Sequence, residues 1–376
     1  IPNYLLTWEK SYNTNIGIDA AFLNNRIDVS MEYYNTKTKD VIWNKALPVI
    51  NGAFSPDGGP KANYTTNLNM CETSNKGFEL ALNTRNIITK NFTWSSSVTF
   101  NHNKEKITKL SGGDSDVLNN GDTGYALALG EAINSYYHYK LDGVWQKGEE
   151  TDAAVFGAAP GDLKINIPNL VKESDGRFYK IDEETGSAAV DENGNVIYYT
   201  SDNKYTPSDA DYQILGHNSP DWSLGFQNNF TWKDFDLSVF VYARYGQMFA
   251  YDMLTSYDPK GIRNFPTYFN YWTENNPSND FPAANANKGL EQYTGYYALR
   301  YVDGSFIKIK NITLGYSLPK SILKSAGIEK CRFYATITNP FVFAKSHLLK
   351  DYDPEMNGSL KYPLTKQFVF GVNVTF

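Results

Sequence analysis

Two cysteines in 376 residues are too few for a disulfide scaffold. Four histidines, His102, His138, His217 and His347, are scattered along the chain and leave little for a His-rich metal site or a catalytic cluster. No stretch approaches the roughly 18 consecutive apolar residues of a membrane-spanning helix, which excludes a helical membrane protein. Neither sign of charge dominates. The 35 Lys+Arg and 41 Asp+Glu leave a net charge of −6, which argues against nucleic acid as the main partner, since phosphate binding needs a basic face. Enzyme signatures are missing too: no Gly-x-Ser-x-Gly, Walker loop, His-Glu-x-x-His or Cys-x-x-Cys occurs, so the chain is not expected to be an enzyme. What is abundant is aromatic side chain and glycine: 28 Tyr, 22 Phe, 7 Trp and 28 Gly. With a mean hydropathy of −0.48, both soluble β-proteins and membrane β-barrels remain.

Apolar residues recur with period two. Ile16, Ile18, Ala20 and Phe22 form one run, and Ile27, Val29, Met31 and Tyr33 follow the Asn24-Asn25 turn. Further runs are Phe78–Leu82, Phe92–Phe100, Leu224–Trp232, Phe235–Ala243, Ile312–Leu318 and Phe333–Ile337. The last, Phe368, Phe370, Val372, Val374 and Phe376, ends on a terminal aromatic, the mark of the strand that directs outer-membrane barrel insertion. Nine strands are therefore expected, each with one apolar and one polar face. Connections at 24–25, 87–90, 233–234 and 319–330 are short, the last with room for one helical turn; those at 41–73, 108–221, 249–302 and 344–365 are long. Short and long alternate without exception. Outer-membrane barrels sort their connections this way, with short periplasmic turns and long extracellular loops. The fold class is thus all-β: a transmembrane antiparallel barrel whose apolar face meets lipid. In the seventh strand Ile307 and Ile309 are odd whereas Ile312 onward is even, which predicts a bulge near Lys310-Asn311.

The sequence resembles the C-terminal barrel portion of the SusC-like TonB-dependent transporters of Bacteroidetes. The resemblance rests on ordered short motifs: Trp8-Glu9-Lys10, Asn15–Asp19, Tyr33-Tyr34, Thr38-Lys39-Asp40, Asn75–Glu79, Pro160-Gly161-Asp162, Leu215-Gly216, Pro220-Asp221 and Leu224-Gly225-Phe226. They continue with Asp303–Phe306, Lys310–Tyr316, Leu318-Pro319, Asn339, Tyr352–Glu355, Tyr362-Pro363 and the terminal strand. Ile307-Lys308-Ile309 stands where the family often has Leu-Arg-Leu. The resemblance implies about nine strands of a 22-strand barrel in the bacterial outer membrane, with residues 1–376 as the C-terminal portion; plug domain, TonB box and N-terminal strands would lie elsewhere and pair with the open edges. Ile1 is not a start methionine, so a processed chain or a piece of something longer is expected. Further implications are active import of large nutrient fragments, glycans or oligopeptides, beneath a SusD-like surface lipoprotein, energised by the TonB system through the plug. Two alternatives stay open at this point: a passive porin or structural barrel, and a secreted β-rich carbohydrate-binding protein.

The long connections hold the remaining candidates. Tyr136, Tyr137, Trp145, Tyr268, Tyr271, Trp272, Tyr296 and Tyr297 are candidates for contact with substrate or lid, because an aromatic ring offers an apolar face and, in Tyr and Trp, a polar tip. Tyr139, Tyr251, Tyr257, Phe269, Tyr293 and Tyr301 belong to the same enrichment. Asp191, Asn193, Asn195 and Asp202 fall at calcium-loop spacing, but Val196 stands where that loop needs Gly; a hairpin turning at Asn193-Gly194 is the better reading, and no cofactor is expected. The region 169–211 also looks longer than in the family, so no calcium site is carried over. Cys71 and Cys331 are expected a membrane thickness apart, too far for a disulfide.

Overall fold

Nine stretches of alternating residues form nine strands, and each pairs with the next in sequence. The computed structural model describes residues 3–46, 65–110, 117–120, 125–256, 259–260, 266–324 and 327–376. Its wall consists of β1 (Lys10–Phe22), β2 (Ile27–Ala46), β3 (Thr65–Ile88), β4 (Phe92–Leu110), β5 (Trp222–Trp232), β6 (Phe235–Tyr245), β7 (Phe306–Ser317), β8 (Lys330–Ala344) and β9 (Gln367–Thr375). All eight pairings are antiparallel and the sheet order is the chain order.

The connections sort as expected. At one end lie residues 23–26, with Leu23, Asn24 and Asn25 at positive φ, then 89–91, Lys233-Asp234, and a segment holding the helical turn Lys320–Leu323. At the other end lie the long ones. The first is shorter than the sequence suggests. Pairing of β2 with β3 continues to Ala46 opposite Thr65, so 41–46 and 65–73 are strand and the connection is confined to 47–64, outside the described residues. The 20 residues of β2 extend about 65 Å, whereas a tilted crossing of an apolar band about 25 Å tall takes roughly half of that. β2, β3 and β4 therefore rise well beyond the band.

Register places the apolar side chains in continuous rows across the sheet. One row runs Ala20, Val29, Leu82, Val98, Phe226, Val241, Ile309 and Phe341, one residue from each of eight successive strands. Near the short turns another runs Phe92, Trp232, Phe235, Tyr316, Phe333 and Val372. Neighbouring rings in it approach to 6.2 Å (Trp232 and Phe235) and 4.7 Å (Phe235 and Tyr316), as in an interfacial aromatic girdle. The terminal-strand residues Phe368, Phe370, Val372, Val374 and Phe376 are 42% to 87% exposed on this apolar face. In a water-soluble sandwich they would be core; here the core lies elsewhere. The bulge is where the phase change puts it: Phe240 pairs with Asn311 and Val241 with Ile309, which leaves Lys310 out of register. On β8 the compensating residue is Asn339, at φ 54, with its Nδ2 donating to the Thr365 carbonyl at 3.1 Å.

The inner face is polar and locked by cross-strand bonds. Arg332 donates twice to Asp236, at 2.8 and 2.5 Å, and Thr313 faces Thr336 at 2.9 Å. Tyr34 lies flat over its cross-strand neighbour Gly77 and donates to Asn103 Oδ1 at 2.8 Å; a Cβ on Gly77 would collide with the Tyr34 ring. Gly77→Val is expected to displace Tyr34 and cost about 1–3 kcal/mol. Gly17→Ala, whose Cβ meets only the Met31 carbonyl at 3.7 Å, is expected to be near neutral; unfolding temperatures of the two variants in the intact protein test the contrast.

Candidate functional site

Hydrophobic side chains that the wall turns outward are replaced, as a buried core, by those of the loops. Val144 and Leu163 from the second loop (111–221), Phe249, Tyr251, Leu254, Phe269, Trp272, Phe281, Tyr293, Tyr296, Leu299 and Val302 from the third (246–305) and its junction with β7, and Leu349 from the fourth (345–366) form one cluster. The loops thus fold on each other above the wall.

This core absorbs part of the predicted aromatic set. Tyr136 is buried, with ring centroids 4.7 Å from Tyr125 and 5.0 Å from Tyr301. Trp145 is buried against Phe156 at 5.6 Å, with Lys164 Nζ 4.4 Å from its ring centroid. Trp272 is buried and donates through Nε1 to Gln146 Oε1 at 2.9 Å, a bond between the second and third loops. Under it sits Gly161, at φ +94, where a Cβ would come within 2.8 Å of the Trp272 ring. Tyr296 is buried beside Tyr293 and Tyr297. For these four the physical role in the structure is loop core. The other four keep ring surface toward water: Tyr271 is 40% and Tyr297 49% exposed, while Tyr137 and Tyr268 are half-buried. Tyr257 lies outside the described residues. Trp272→Ala is expected to destabilise the loop core by about 3–5 kcal/mol. Tyr271→Ala is expected to stay within about 0.5 kcal/mol of the parent. Protease cleavage rates within 246–305 of the solubilised protein distinguish the two.

Beside Tyr137 the loops leave a cleft of about 400 Å³, lined by Tyr139, Gln213, Asn279, Asp280, Tyr301 and Leu348 among others. All three described loops contribute. Tyr212 organises one wall: it stacks on His138 at 4.9 Å and meets Tyr137 and Tyr139 edge-on at 5.5 and 4.7 Å. Burial, reinforced by the nearby Arg300 charge, lowers His138 to about 4, so it is neutral at physiological pH. Asp280 accepts from His347 across 2.9 Å, and Asn279 Oδ1 accepts from the Val144 amide and from Gln146, both at 3.1 Å. The site offers aromatic faces, amides and a carboxylate around a wet gap, which is equipment for binding rather than bond making. Tyr139 and Tyr301 stand out in sequence only as members of the aromatic enrichment. Gln213, Asn279 and Asp280 carry no sequence signal at all.

Two anchors hold the loops to their places. Asp211, fully buried, accepts from Lys180 at 2.6 Å, Tyr205 at 2.6 Å and the Ser208 amide at 2.9 Å; burial pushes its carboxyl up, but these bonds outweigh burial and hold it below the usual range. The second is Lys308 on β7, which binds Asp353 at 2.5 Å and Glu355 at 2.8 Å in the fourth loop. Asp191 spends its carboxylate on its own turn, accepting from the amides of Asn193 and Asn195 at 2.9 Å each, and Val190 bridges Val196 across the hairpin with Gly194 at φ 83. Cys71 and Cys331 are both free and lie at opposite ends of the wall, Cys71 opposite Leu110 and Cys331 opposite Val374.

Comparison with known proteins agrees with this geometry. Residues 1–148 match the family described as TonB dependent receptor-like, beta-barrel. TonB-dependent receptor P3 of Formosa agariphila is 28% identical over 393 residues, covering 99% of this chain and 34% of the relative. TonB-dependent receptor SusC of Bacteroides thetaiotaomicron is 28% identical over 384 residues, covering 100% of this chain and 32% of the relative. Among solved structures, the RagAB peptide transporter superposes with a TM-score of 0.70 at 25% identity, over 98% of this chain and 36% of that one. The chain therefore spans about a third of the length of the curated relatives it matches. The curated relatives are TonB-dependent receptors and the solved one is a transporter. With nine meandering strands, an apolar outward band and sorted connections, the chain is similar along its whole length to a stretch of the outer-membrane β-barrel of TonB-dependent receptors, SusC among them.

Proposed function

We propose that this chain supplies one side of the barrel wall and much of the extracellular mouth of an active importer of large nutrient fragments, glycans or oligopeptides. The observation that carries the reading is the cleft where three long loops meet, lined by Tyr139, Tyr301, Gln213, Asn279 and Asp280. Aromatic faces suit sugar rings or peptide side chains, and the amides and carboxylate supply orientation. A SusD-like lipoprotein would cover this mouth, and the exposed Tyr271 and Tyr297 offer it or the substrate anchoring surface. In lipid, the free edges of β1 and β9 need partners, so further strands complete the barrel around a plug that receives energy from the TonB system. RagAB, the structural relative, is a peptide transporter, which makes oligopeptides the first ligands to test.

The test uses the complete receptor with its lipoprotein, titrated against panels of oligopeptides and oligosaccharides. Tyr301→Ala combined with Gln213→Ala is expected to weaken the best ligand at least tenfold. Unchanged affinity would remove the cleft from the account. Uptake by whole cells should also vanish when the TonB system is deleted; persistent uptake would indicate a passive pore.

A further inference from the structure

The outward face of β1–β4 does not end with its apolar band. Its upper limit is an aromatic row in register, Tyr33, Phe78, His102, Trp222 and Tyr245, with the Trp222 and Tyr245 rings stacked at 5.6 Å. Above it the same two-residue alternation continues with lysine. Lys76 pairs with Lys104, Lys37 and Lys106 both pair with Ser74, and Lys10 pairs with Lys39. All six lysines are exposed, while the intervening Asn103 and Glu105 are half-buried on the inner face. Each two-residue step on a strand tilted by about 40° climbs about 5 Å, so the three rows stand roughly 5, 10 and 15 Å above the aromatic girdle.

Like charges placed directly opposite each other destabilise a sheet, and this face does it twice. Compensation within the chain is slight. Lys10 has Asp40 at 3.6 Å; among the described residues Lys37, Lys39, Lys76, Lys104 and Lys106 form no ion pair. At the short-turn end the strands stop within three residues of the aromatic row Phe92, Trp232, Phe235, Tyr316 and Phe333, so no comparable rows extend past it. Among the described residues the basic rows thus occur at the end of the long loops, the extracellular side. The net charge of −6 conceals this segregation.

We propose that this lysine ladder binds the phosphate groups of the anionic glycolipid forming the outer leaflet around the barrel. Height, outward direction and unmatched charge all fit a headgroup layer, and the aromatic row beneath fits the boundary with its acyl chains. A charge near an anionic membrane surface contributes about fivefold in affinity. The competing occupant is an acidic face of a partner protein.

The complete receptor, purified in mild detergent, is tested for retention of phosphorylated and dephosphorylated lipid A. Wild type is expected to hold the phosphorylated form preferentially. The combined variant Lys37→Gln, Lys76→Gln, Lys104→Gln and Lys106→Gln should lose on the order of a hundredfold or more, and the corresponding four Lys→Arg changes should retain it. Should the combined Gln variant not assemble, Lys76→Gln and Lys104→Gln singly are expected to lose about fivefold each. Equal retention by wild type and Gln variants, or indifference to phosphorylation, overturns the proposal. So does a photocrosslinker at position 104 that captures protein instead of glycolipid in intact cells.

Discussion

Lys308→Met is expected to free the fourth loop from the wall and to be among the most damaging single changes in the chain. The Lys308 side chain is 0% exposed, and its ammonium is shared by Asp353, 13% exposed, and Glu355, 17% exposed. Lys310 bonds Glu355 at 2.6 Å but is itself 30% exposed. Methionine fills the volume and removes the charge, leaving Asp353 without its ammonium partner and Glu355 with Lys310 alone. Removing one partner of a buried pair costs about 3–5 kcal/mol. Adding Asp353→Asn and Glu355→Gln should recover much of the loss, because no buried charge is then left without a partner. Hydrogen exchange at Leu349–Asn357 in the complete receptor reads both outcomes. The same anchor has a pH signature. Burial pushes the Glu355 carboxyl up, yet the bonds from Lys308 and Lys310 outweigh burial and hold it below its usual range. A carboxyl lowered on folding contributes its full stabilisation above its unfolded pKa and loses it as pH falls through the folded value. Loop protection is therefore expected to be flat from neutral pH down to about pH 5 and to fall only below about pH 4.

Ile312→Arg is expected to block assembly of the wall. Ile312 lies in the row Val239, Ile312, Ile337 and Phe368, midway along the outward positions of β7. A guanidinium at the middle of a lipid-facing band costs about 2–4 kcal/mol. Thr336→Lys, one strand away on the inner face beside Thr313, places its charge toward a water-filled lumen and should be tolerated. Heat-modified gel mobility of membrane-extracted protein gives the comparison: Ile312→Arg should be depleted of folded receptor and Thr336→Lys should not.

The contrast between wall and mouth explains what the amino-acid sequence discloses. Lipid on one side and water on the other impose a strict period of two, so β5, β6 and β9 can be read nearly to their ends. β2 and β3 lose that signal above Tyr33 and Phe78, where Asn35, Lys37 and Lys76 continue the ladder with both faces in water. Pairing goes on without alternation, and the strands therefore read as loop. The bulge at Lys310 was legible because it flips the face of every following apolar residue. Many of the family motifs prove to be joints: Gly77 under Tyr34, Gly161 under Trp272, Asn339 at positive φ, and Asp353 and Glu355 on Lys308. That last pairing joins residues 45 positions apart and has no local signature. In the loops aromatic enrichment alone does not separate Trp272, a core residue, from its neighbour Tyr271, an exposed one. Composition marks the mouth, but burial decides which ring can touch a ligand.

β7 faces lipid along its whole length with a one-residue slip at Lys310. A nitroxide scan of β7 in the membrane-embedded receptor measures this directly, with Cys71 and Cys331 replaced by alanine. Oxygen accessibility should peak at Ile307, Ile309, Ile312 and Leu314, with aqueous paramagnet accessibility higher at Asn311 and Thr313 between the later peaks. An unbroken two-residue period through Lys310 would contradict the bulge, and equal aqueous access at Ile312 and Thr313 would contradict the barrel.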